Sequence, residues 1–201
     1  MKFFAKRRLF PKKCIEKPLF LSCNLTHMVF QKLKEKSLRK GVERNLQNRD
    51  TTQLNAKVRT VGFLVDEMEF TDFEALYDCY KELKLQPKDI KLFSFVESKK
   101  KLPSLRHNQV QTKDFDWKGN LHNQDAQEFI DKPLDVLVGL YQGQHPIIEL
   151  MVSASKAKFK VGFQGADDRL YDLLLAIDPS DVEGLKIELE KYLKLFGKIA
   201  E

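Results

Sequence analysis

The sequence lacks the short patterns that usually identify an enzyme. It contains no GxxxxGK[ST], GxGxxG, GxSxG or HExxH pattern, and its three cysteines form no CxxC pair. P-loop nucleotide hydrolases, α/β-hydrolases and zincin-type metalloproteases are therefore not indicated. We assign no catalytic residue, no metal site and no cofactor from the sequence, and we favour a protein that is not an enzyme.

Cysteines and long apolar runs are also scarce. Cys14, Cys23 and Cys79 are an odd number, so at least one thiol is unpaired, which is typical of a reducing compartment. No apolar run approaches the roughly 20 residues that cross a bilayer. We therefore expect a cytoplasmic protein without integral membrane association. Cys79 is expected to be a small buried thiol rather than a nucleophile.

Charge is distributed unevenly along the chain. Residues 1–60 contain 16 Lys or Arg and 4 Asp or Glu, a net charge of +12, whereas residues 61–201 contain 19 and 25, a net charge of −6. A basic segment on a mildly acidic body suggests an anionic partner such as RNA, DNA or an anionic membrane surface. The alternative is a solvated segment without a partner, because charge runs are often only solvated.

The composition predicts three segments. Residues 1–27 are expected to be disordered, or to be an extension ahead of a true start at Met28. Residues 28–55 are predicted to form a basic amphipathic helix and a polar linker. Residues 56–201 are predicted to form one α/β domain with a single core. In the helix, the apolar side chains recur at steps of four, at Leu38, Val42 and Leu46.

The domain alternates predicted strands with predicted helices. Apolar, β-branched runs predict strands at residues 58–65, 90–96, 135–141, 159–163 and 171–177. Helices are predicted at residues 73–83 and 123–130, from Pro146 onward, and after a capping box formed by Ser180 and Glu183. The polar residues 99–113 are expected to be an extended connection that leads to a short strand near residues 115–117. This order indicates an α/β three-layer sandwich with a mostly parallel, Rossmann-like sheet, preceded by the basic N-terminal helix.

The residues that follow the strands are candidates for a small-ligand site, because ligands of open α/β sheets bind outside the carboxyl ends of the strands. They are Asp66, Glu97, Tyr141, Gln144 and His145. Asp66 and Glu97 would form an acid and base pair if their strands are adjacent; the alternative is two exposed loop carboxylates. His145 precedes a helix N-terminus that could hold a phosphate; the alternative is a turn or capping role.

Basic residues in two segments form a second candidate surface. They are Lys32, Lys36, Arg39, Lys40 and Arg44 in the predicted helix, and Lys99, Lys100, Lys101 and Arg106 in the polar connection. Such side chains neutralise phosphates, and binding of this kind weakens steeply with salt. Phe115 and Trp117 could stack a base, although one aromatic pair is more often part of a core.

Two stretches resemble a known family. ESKKKLPSLRHNQV, at residues 97–110, and HPIIELMVSASKAKFKVGFQGADDRLYDLLLAIDP, at residues 145–179, are similar to a family of uncharacterised proteins found chiefly among Bacteroidetes bacteria. The similarity covers the chain from Met28 onward and implies no activity. A looser similarity, over residues 135–163, is to the nucleotide-binding half of heptosyltransferase-like enzymes. It implies the fold but not glycosyl transfer.

Three hypotheses of function follow. The leading one is a cytoplasmic accessory protein that binds nucleic acid or a ribonucleoprotein through its basic segments. The first alternative is a protein or enzyme that binds a nucleotide or sugar at the carboxyl ends of the strands. The second alternative is peripheral attachment to an anionic membrane through the basic helix.

Overall fold

The computed structural model describes residues 20–70, 72–97 and 108–200, and the side chains of the first helix from Lys32 onward. Within these residues the strands are β1 (Val61–Asp66), β2 (Ile90–Phe95), β3 (Gln109–Val110), β4 (Val136–Leu140), β5 (Phe159–Phe163) and β6 (Leu173–Leu175). All neighbouring strands are parallel, in the order β3-β2-β1-β4-β5-β6. The predicted parallel, Rossmann-like sheet is therefore confirmed.

The helices cover both faces of the sheet. They are α1 (Phe20–Gln47), α2 (Phe73–Tyr77), α3 (Cys79–Glu82), α4 (Gln124–Asp131), α5 (Pro146–Ala154) and α6 (Val182–Leu195). One core cluster joins α1, α4 and α5 to the sheet, and a second cluster joins α2, α3 and α6 to the opposite face. The predicted three-layer arrangement and the N-terminal helix are confirmed, but α1 begins at Phe20, ahead of the predicted start at Met28.

The two clusters explain why the central strands are apolar throughout. In β1, Leu64 belongs to the cluster of α1, α4 and α5, whereas Phe63 and Val65 belong to the cluster on the opposite face. Every residue of β1 and β4 is buried. A strand covered on both faces needs apolar side chains at successive positions, so it reads as a continuous run rather than an alternating one.

The C-terminal half of α1 packs against α5. Leu38 and Val42 are 3% and 5% exposed and belong to the same cluster as α5. Asn45 Nδ2 also donates a hydrogen bond to Ser153 Oγ of α5, at 2.9 Å. One side of α1 is therefore fixed to the domain, while its opposite side faces solvent.

Several predicted boundaries are wrong by a few residues. The helix predicted at residues 73–83 is divided at Asp78 into α2 and α3. The strand predicted at residues 171–177 is limited to β6, because a 3₁₀ turn (Asp168–Leu170) comes just before it. Asp181, not Ser180, caps α6 through a 2.9 Å bond from the backbone N–H of Gly184 to Asp181 Oδ1. The Ser180 hydroxyl instead donates to Asp178, at 2.6 Å.

The edge of the sheet at β3 also differs from the prediction. β3 lies inside the stretch that was expected to be only a connection, and it pairs with Ser94 and Phe95 at the end of β2. The strand expected near residues 115–117 is wrong, because Phe115 forms only an isolated antiparallel bridge with Leu121. A 3₁₀ turn (Thr112–Asp114) separates the bridge from β3.

Candidate functional site

The strand order places a switch point between β1 and β4, where ligands of such sheets bind. Asp66 ends β1, and Tyr141 and His145 follow β4, so the structure brings these three predicted residues together. The His145 ring lies edge-on to Phe95 and Tyr141, with centroid distances of 4.5 and 6.1 Å. The carboxyl edge of the sheet thus holds a cluster of one histidine, one carboxylate and two aromatic rings.

Both ring nitrogens of His145 are engaged by the protein itself. Nδ1 accepts a 3.1 Å hydrogen bond from the backbone N–H of Ile148, and Nε2 lies 3.5 Å from Asp66 Oδ2. Burial lowers the pKa of His145, and the charges of Asp66 and Glu97 oppose this effect only in part. The network therefore assigns a neutral imidazole with its proton on Nε2, directed at Asp66.

Side chains of residues 145–149 themselves contact the N-terminus of α5. Pro146 has no N–H, and the N–H of Ile148 is bound by His145. Glu149 adds a carboxylate to the first turn, where its Oε1 accepts the backbone N–H of His145 at 3.2 Å. The N–H of Ile148 is thus taken and a carboxylate stands in the first turn, and His145 makes the contacts of a helix cap, which is the alternative that the sequence left open.

The carboxylate that links β1 to β2 is Glu67. Its Oε1 accepts hydrogen bonds from Ser94 Oγ and Gln109 Nε2, both at 2.6 Å. Asp66 instead uses Oδ1 to accept the N–H of Met68 at 3.0 Å. Among the described contacts, no hydrogen bond joins Asp66 to Glu97, so the structure brings the proposed acid and base pair to one edge without pairing its members.

A crevice of about 490 Å³ opens beside this cluster, over the ends of β4, β5 and β6. Two turns line it, at Gly143 (φ 63°) and Gly165 (φ 103°), and a Cβ built on either glycine would meet no atom within 4 Å. Gln142, Gln164 and Asp178 supply polar groups to its wall. The lining is uncharged except for Asp178, so it fits a hydroxyl-bearing ligand better than a phosphate.

The other two predicted ligand residues near β4 do not line this crevice. Tyr141 is 3% exposed, and its hydroxyl is 2.9 Å from the Tyr171 hydroxyl inside the core. Burial raises the pKa of both tyrosines. Gln144 lines a separate cavity of about 320 Å³, together with Arg39 of α1 and Arg169. The residues predicted from strand ends therefore do not converge on one ligand.

The predicted cations of α1 are all exposed: Lys32, Lys36, Arg39, Lys40 and Arg44. Arg39 lies on the flank of the helix, beside the cavity that Gln144 and Glu149 line. Among the described contacts none of these five side chains has a hydrogen-bond or ion-pair partner. Lys34 lies on the inward side, where Nζ donates to the backbone carbonyls of Thr112 and Phe115 at 2.6 and 2.7 Å. Burial lowers the pKa of Lys34. The inward cation of α1, Lys34, therefore stabilises the fold, whereas the exposed cations remain available to bind a partner.

Four predicted cations, those of Lys99, Lys100, Lys101 and Arg106, lie outside the described residues. The aromatic pair that could stack a base is divided by the structure. Phe115 is 3% exposed and belongs to the core, whereas Trp117 is 66% exposed. Sequence patterns could not separate them, because the two rings stand only two positions apart in a segment without a clear period.

Lys160 is a buried titratable group that the sequence analysis did not single out. It is 1% exposed in β5, and Nζ donates to the carbonyl of Val152 at 2.6 Å, at the C-terminal end of α5. Burial, with a smaller contribution from the charge of Arg49, lowers the pKa of Lys160 to about 7. The sequence signal that could have identified it is a single lysine within an otherwise apolar predicted strand. Its contacts are those of a helix C-cap.

Two negative findings apply to the part of the chain that the structure describes. No group of three or more His, Cys, Asp or Glu side chains there could hold a metal ion. None of the helices there is long and apolar enough to cross a membrane. Cys79 is buried, as predicted, and burial raises the pKa of its thiol to about 12.

Comparison with known proteins identifies one family. Residues 34–196 match a family model described as a Family of unknown function (DUF6913). The match begins inside α1 and ends just after α6, so it spans the sheet and the helices of both layers. No curated protein and no solved structure matches the chain.

Proposed function

We propose that this chain, which belongs to the Family of unknown function (DUF6913), binds nucleic acid through the outward face of α1. The observation that carries the proposal is a row of exposed cations without a described hydrogen bond or ion pair, of which Arg39 lies near the carboxylate of Glu149. They are Lys32, Lys36, Arg39, Lys40 and Arg44, and we call them the α1 cations. A free row of lysines and arginines is the electrostatic footprint that phosphate backbones require.

The spacing of the α1 cations supports this partner. Lys36, Lys40 and Arg44 recur at steps of four, so they follow one side of the helix at intervals of about 6 Å. The whole row extends over about 18 Å. Several phosphates of one backbone can therefore be contacted together, and each neutralised phosphate adds counterion release to the binding free energy.

The packing of α1 supports nucleic acid over a membrane. A helix that binds a bilayer interface buries its apolar side among the lipids. In this chain the apolar side of α1 is occupied by α5, through Leu38 and Val42. Leu33, at 51% exposure, is the large apolar side chain that remains exposed among the described residues of α1. Over the part of α1 whose side chains the structure describes, from Lys32 to Gln47, this leaves electrostatics as the main interaction, which suits a phosphate backbone.

Binding of a fluorescently labelled RNA or DNA oligonucleotide, followed by anisotropy at low salt, tests the proposal. The test variant reverses two α1 cations, Lys36→Glu and Lys40→Glu. The matched control reverses two exposed lysines near the amino edge of the sheet, Lys88→Glu and Lys132→Glu, so both proteins have the same net charge. We expect at least tenfold weaker binding for the test variant and less than a twofold change for the control.

Equal losses in both variants would show that only the overall charge matters, and would contradict the proposal. Failure of the wild-type chain to bind any oligonucleotide at low salt would contradict it as well. Anionic vesicles serve as the competing partner. Tighter binding to vesicles than to oligonucleotides of matched charge would replace nucleic acid with a membrane surface.

A second candidate function is recognition of a sugar or nucleoside in the crevice over β4, β5 and β6. Gly143 and Gly165 let a ligand approach the backbone closely, and Gln164, together with Gln142 whose side chain is hydrogen-bonded to Asp178, provides amide groups at the wall for hydroxyl recognition. A thermal-shift screen of sugars, nucleosides and nucleotides tests this candidate. Stabilisation that is lost in Gln142→Ala and retained in Lys36→Ala would support it, and no stabilisation by any compound would reject it.

A further inference from the structure

The only tryptophan of the chain stands in an unusual place for so large an apolar side chain. Trp117 is 66% exposed, on the turn that follows β3, and Lys118 Nζ lies 5.1 Å from its ring centroid. We infer that Trp117 and Lys118 form a base-stacking subsite beside α1, which selects single-stranded over duplex nucleic acid. This inference rests on the proposed function of the α1 cations.

The turn that carries Trp117 is held firmly. The carboxylate of Asp116 accepts the backbone N–H groups of Lys118 and Asn120, both at 2.8 Å. Burial would raise the pKa of Asp116, but these hydrogen bonds outweigh it and lower the pKa to about 2. The isolated bridge between Phe115 and Leu121 closes the base of the turn. Trp117 is therefore displayed on a fixed loop, and the acidic group beside it is used within the turn.

The same turn is attached to α1. Lys34 donates to the carbonyl of Phe115, two residues before Trp117. Gly119, two residues after it, has φ 85°, and a Cβ built there would lie 3.7 Å from the Cα of Leu38. Because two residues span at most about 7 Å, Trp117 lies close to the middle of α1. These contacts are on the inward side of α1, so a single strand bound to the outward α1 cations reaches the indole by passing around the helix, whose diameter with side chains is about 10–12 Å.

The chemistry of the subsite favours unpaired bases. An exposed indole offers a flat apolar face on which any base can stack, and Lys118 adds a cation for the phosphate of the stacked nucleotide. Bases inside a duplex are already stacked on one another and cannot reach a side chain at the surface. The α1 cations would therefore supply affinity for both forms, and Trp117 would discriminate between them.

Intrinsic fluorescence tests the inference directly, because Trp117 is the sole source of tryptophan emission. The full chain is titrated with an oligo(U) single strand and with an RNA duplex of equal length, and labelled copies of both are followed by anisotropy. We expect the single strand to quench the emission and the duplex to leave it nearly unchanged. Trp117→Ala should weaken single-strand binding about tenfold and duplex binding less than twofold.

Two control variants complete the experiment. Trp117→Phe keeps a stacking ring and should retain most of the single-strand affinity, and it carries the test if Trp117→Ala proves unstable. Leu195→Ala removes another exposed apolar side chain, at 72% exposure on α6, and should change neither affinity. Equal weakening of single-strand and duplex binding by Trp117→Ala would overturn the inference, because it would show contact without base stacking.

The remaining outcomes separate the inference from the function on which it rests. If Lys36→Glu with Lys40→Glu abolishes binding while Trp117→Ala binds like the wild type and the emission is unchanged, the inference fails and the proposed function stands. If the wild-type chain binds neither oligonucleotide at low salt, both fail.

Discussion

The carboxyl edge of the sheet and the outward face of α1 both carry charged side chains, but the two regions differ in how many of these side chains have hydrogen-bond partners within the protein. At the carboxyl edge, Asp66 faces His145, and Glu69 accepts the backbone N–H of Gln142 at 2.7 Å. On α1, no described hydrogen bond or ion pair engages the five α1 cations, and Arg39 interacts with a nearby carboxylate, that of Glu149. At the edge, these polar groups form hydrogen bonds in helix caps and turns. On α1, the cations remain available to bind a partner.

This difference shows why a rule about fold alone does not locate a binding surface. Ligands of parallel sheets bind at the switch point when free N–H groups and open side chains remain there. At the α5 N-terminus of this chain Pro146 lacks an N–H, His145 binds the N–H of Ile148, and Glu149 adds a carboxylate. The surface that can still gain free energy from a charged partner is the one whose charges are unpaired.

The largest expected effect concerns the attachment of α1 to the domain. Leu38 is 3% exposed in the core cluster, so Leu38→Ala leaves a cavity and should lower the free energy of unfolding by about 2–5 kcal/mol. Leu33→Ala, at a position 51% exposed, should change it by less than about 0.5 kcal/mol. Urea denaturation measures both. A small effect for Leu38→Ala would mean that α1 does not pack firmly on the domain, so that its cations are not held in a fixed position.

The next effect contrasts a buried cation with the exposed ones. Burial first, and Arg49 second, lowers the pKa of Lys160 from 10.5 to about 7 in the folded chain. Between these pH values the unfolded chain binds more protons than the folded one, so the Lys160 contribution to stability rises with pH. From pH 7 to pH 9 the rise is at most about 2 kcal/mol.

Lys160→Met should therefore flatten the dependence of the unfolding free energy on pH between 7 and 9, whereas Lys40→Met should leave it unchanged. Urea melts at the two pH values give the comparison. An identical pH dependence in the wild type and Lys160→Met would show that Lys160 stays charged in the folded protein. The distinction between the buried cation and the exposed cations would then be lost.

A smaller effect is expected at the closed carboxyl edge. His145→Ala removes the side-chain acceptor of the Ile148 N–H and should lower the free energy of unfolding by about 1 kcal/mol. Nucleic-acid affinity should stay within twofold of the wild type. Gln144→Ala, beside it and without a capping bond, serves as the control for stability. If His145→Ala left the stability unchanged but weakened nucleic-acid binding, His145 would be a ligand-binding residue instead of a helix cap.

The central elements of the fold could be predicted because their causes are local in sequence. β5 coincides with an apolar run that only Lys160 interrupts, and Pro146 marks the first turn of α5, so both were predicted at their observed starts. β3 could not be predicted, since it has only two residues and exists by pairing with the free edge of β2. Ser180 and Asp181 compete for one capping position, and only the bond from Ser180 to Asp178 decides between them.

The candidate surfaces could be predicted to different degrees for the same reason. Steps of four identified the inward residues of α1, and the cations off that stripe are on the outward side. The sequence could list Asp66, Tyr141 and His145 at the strand ends, but it could not show that their polar atoms bind one another. Nor could it separate buried Phe115 from exposed Trp117, because that difference depends on the contact between the turn and α1.

The salt dependence of binding tests the central claim most directly. If the α1 cations neutralise phosphates of a single strand, the logarithm of the binding constant should fall with the logarithm of salt concentration with a slope of about −3.5. Replacing Lys36 and Lys40 by Gln should reduce the size of the slope by about 1.4, and replacing Lys88 and Lys132 by Gln should not change it. A slope that is the same in all three proteins would contradict the assignment of nucleic-acid binding to α1.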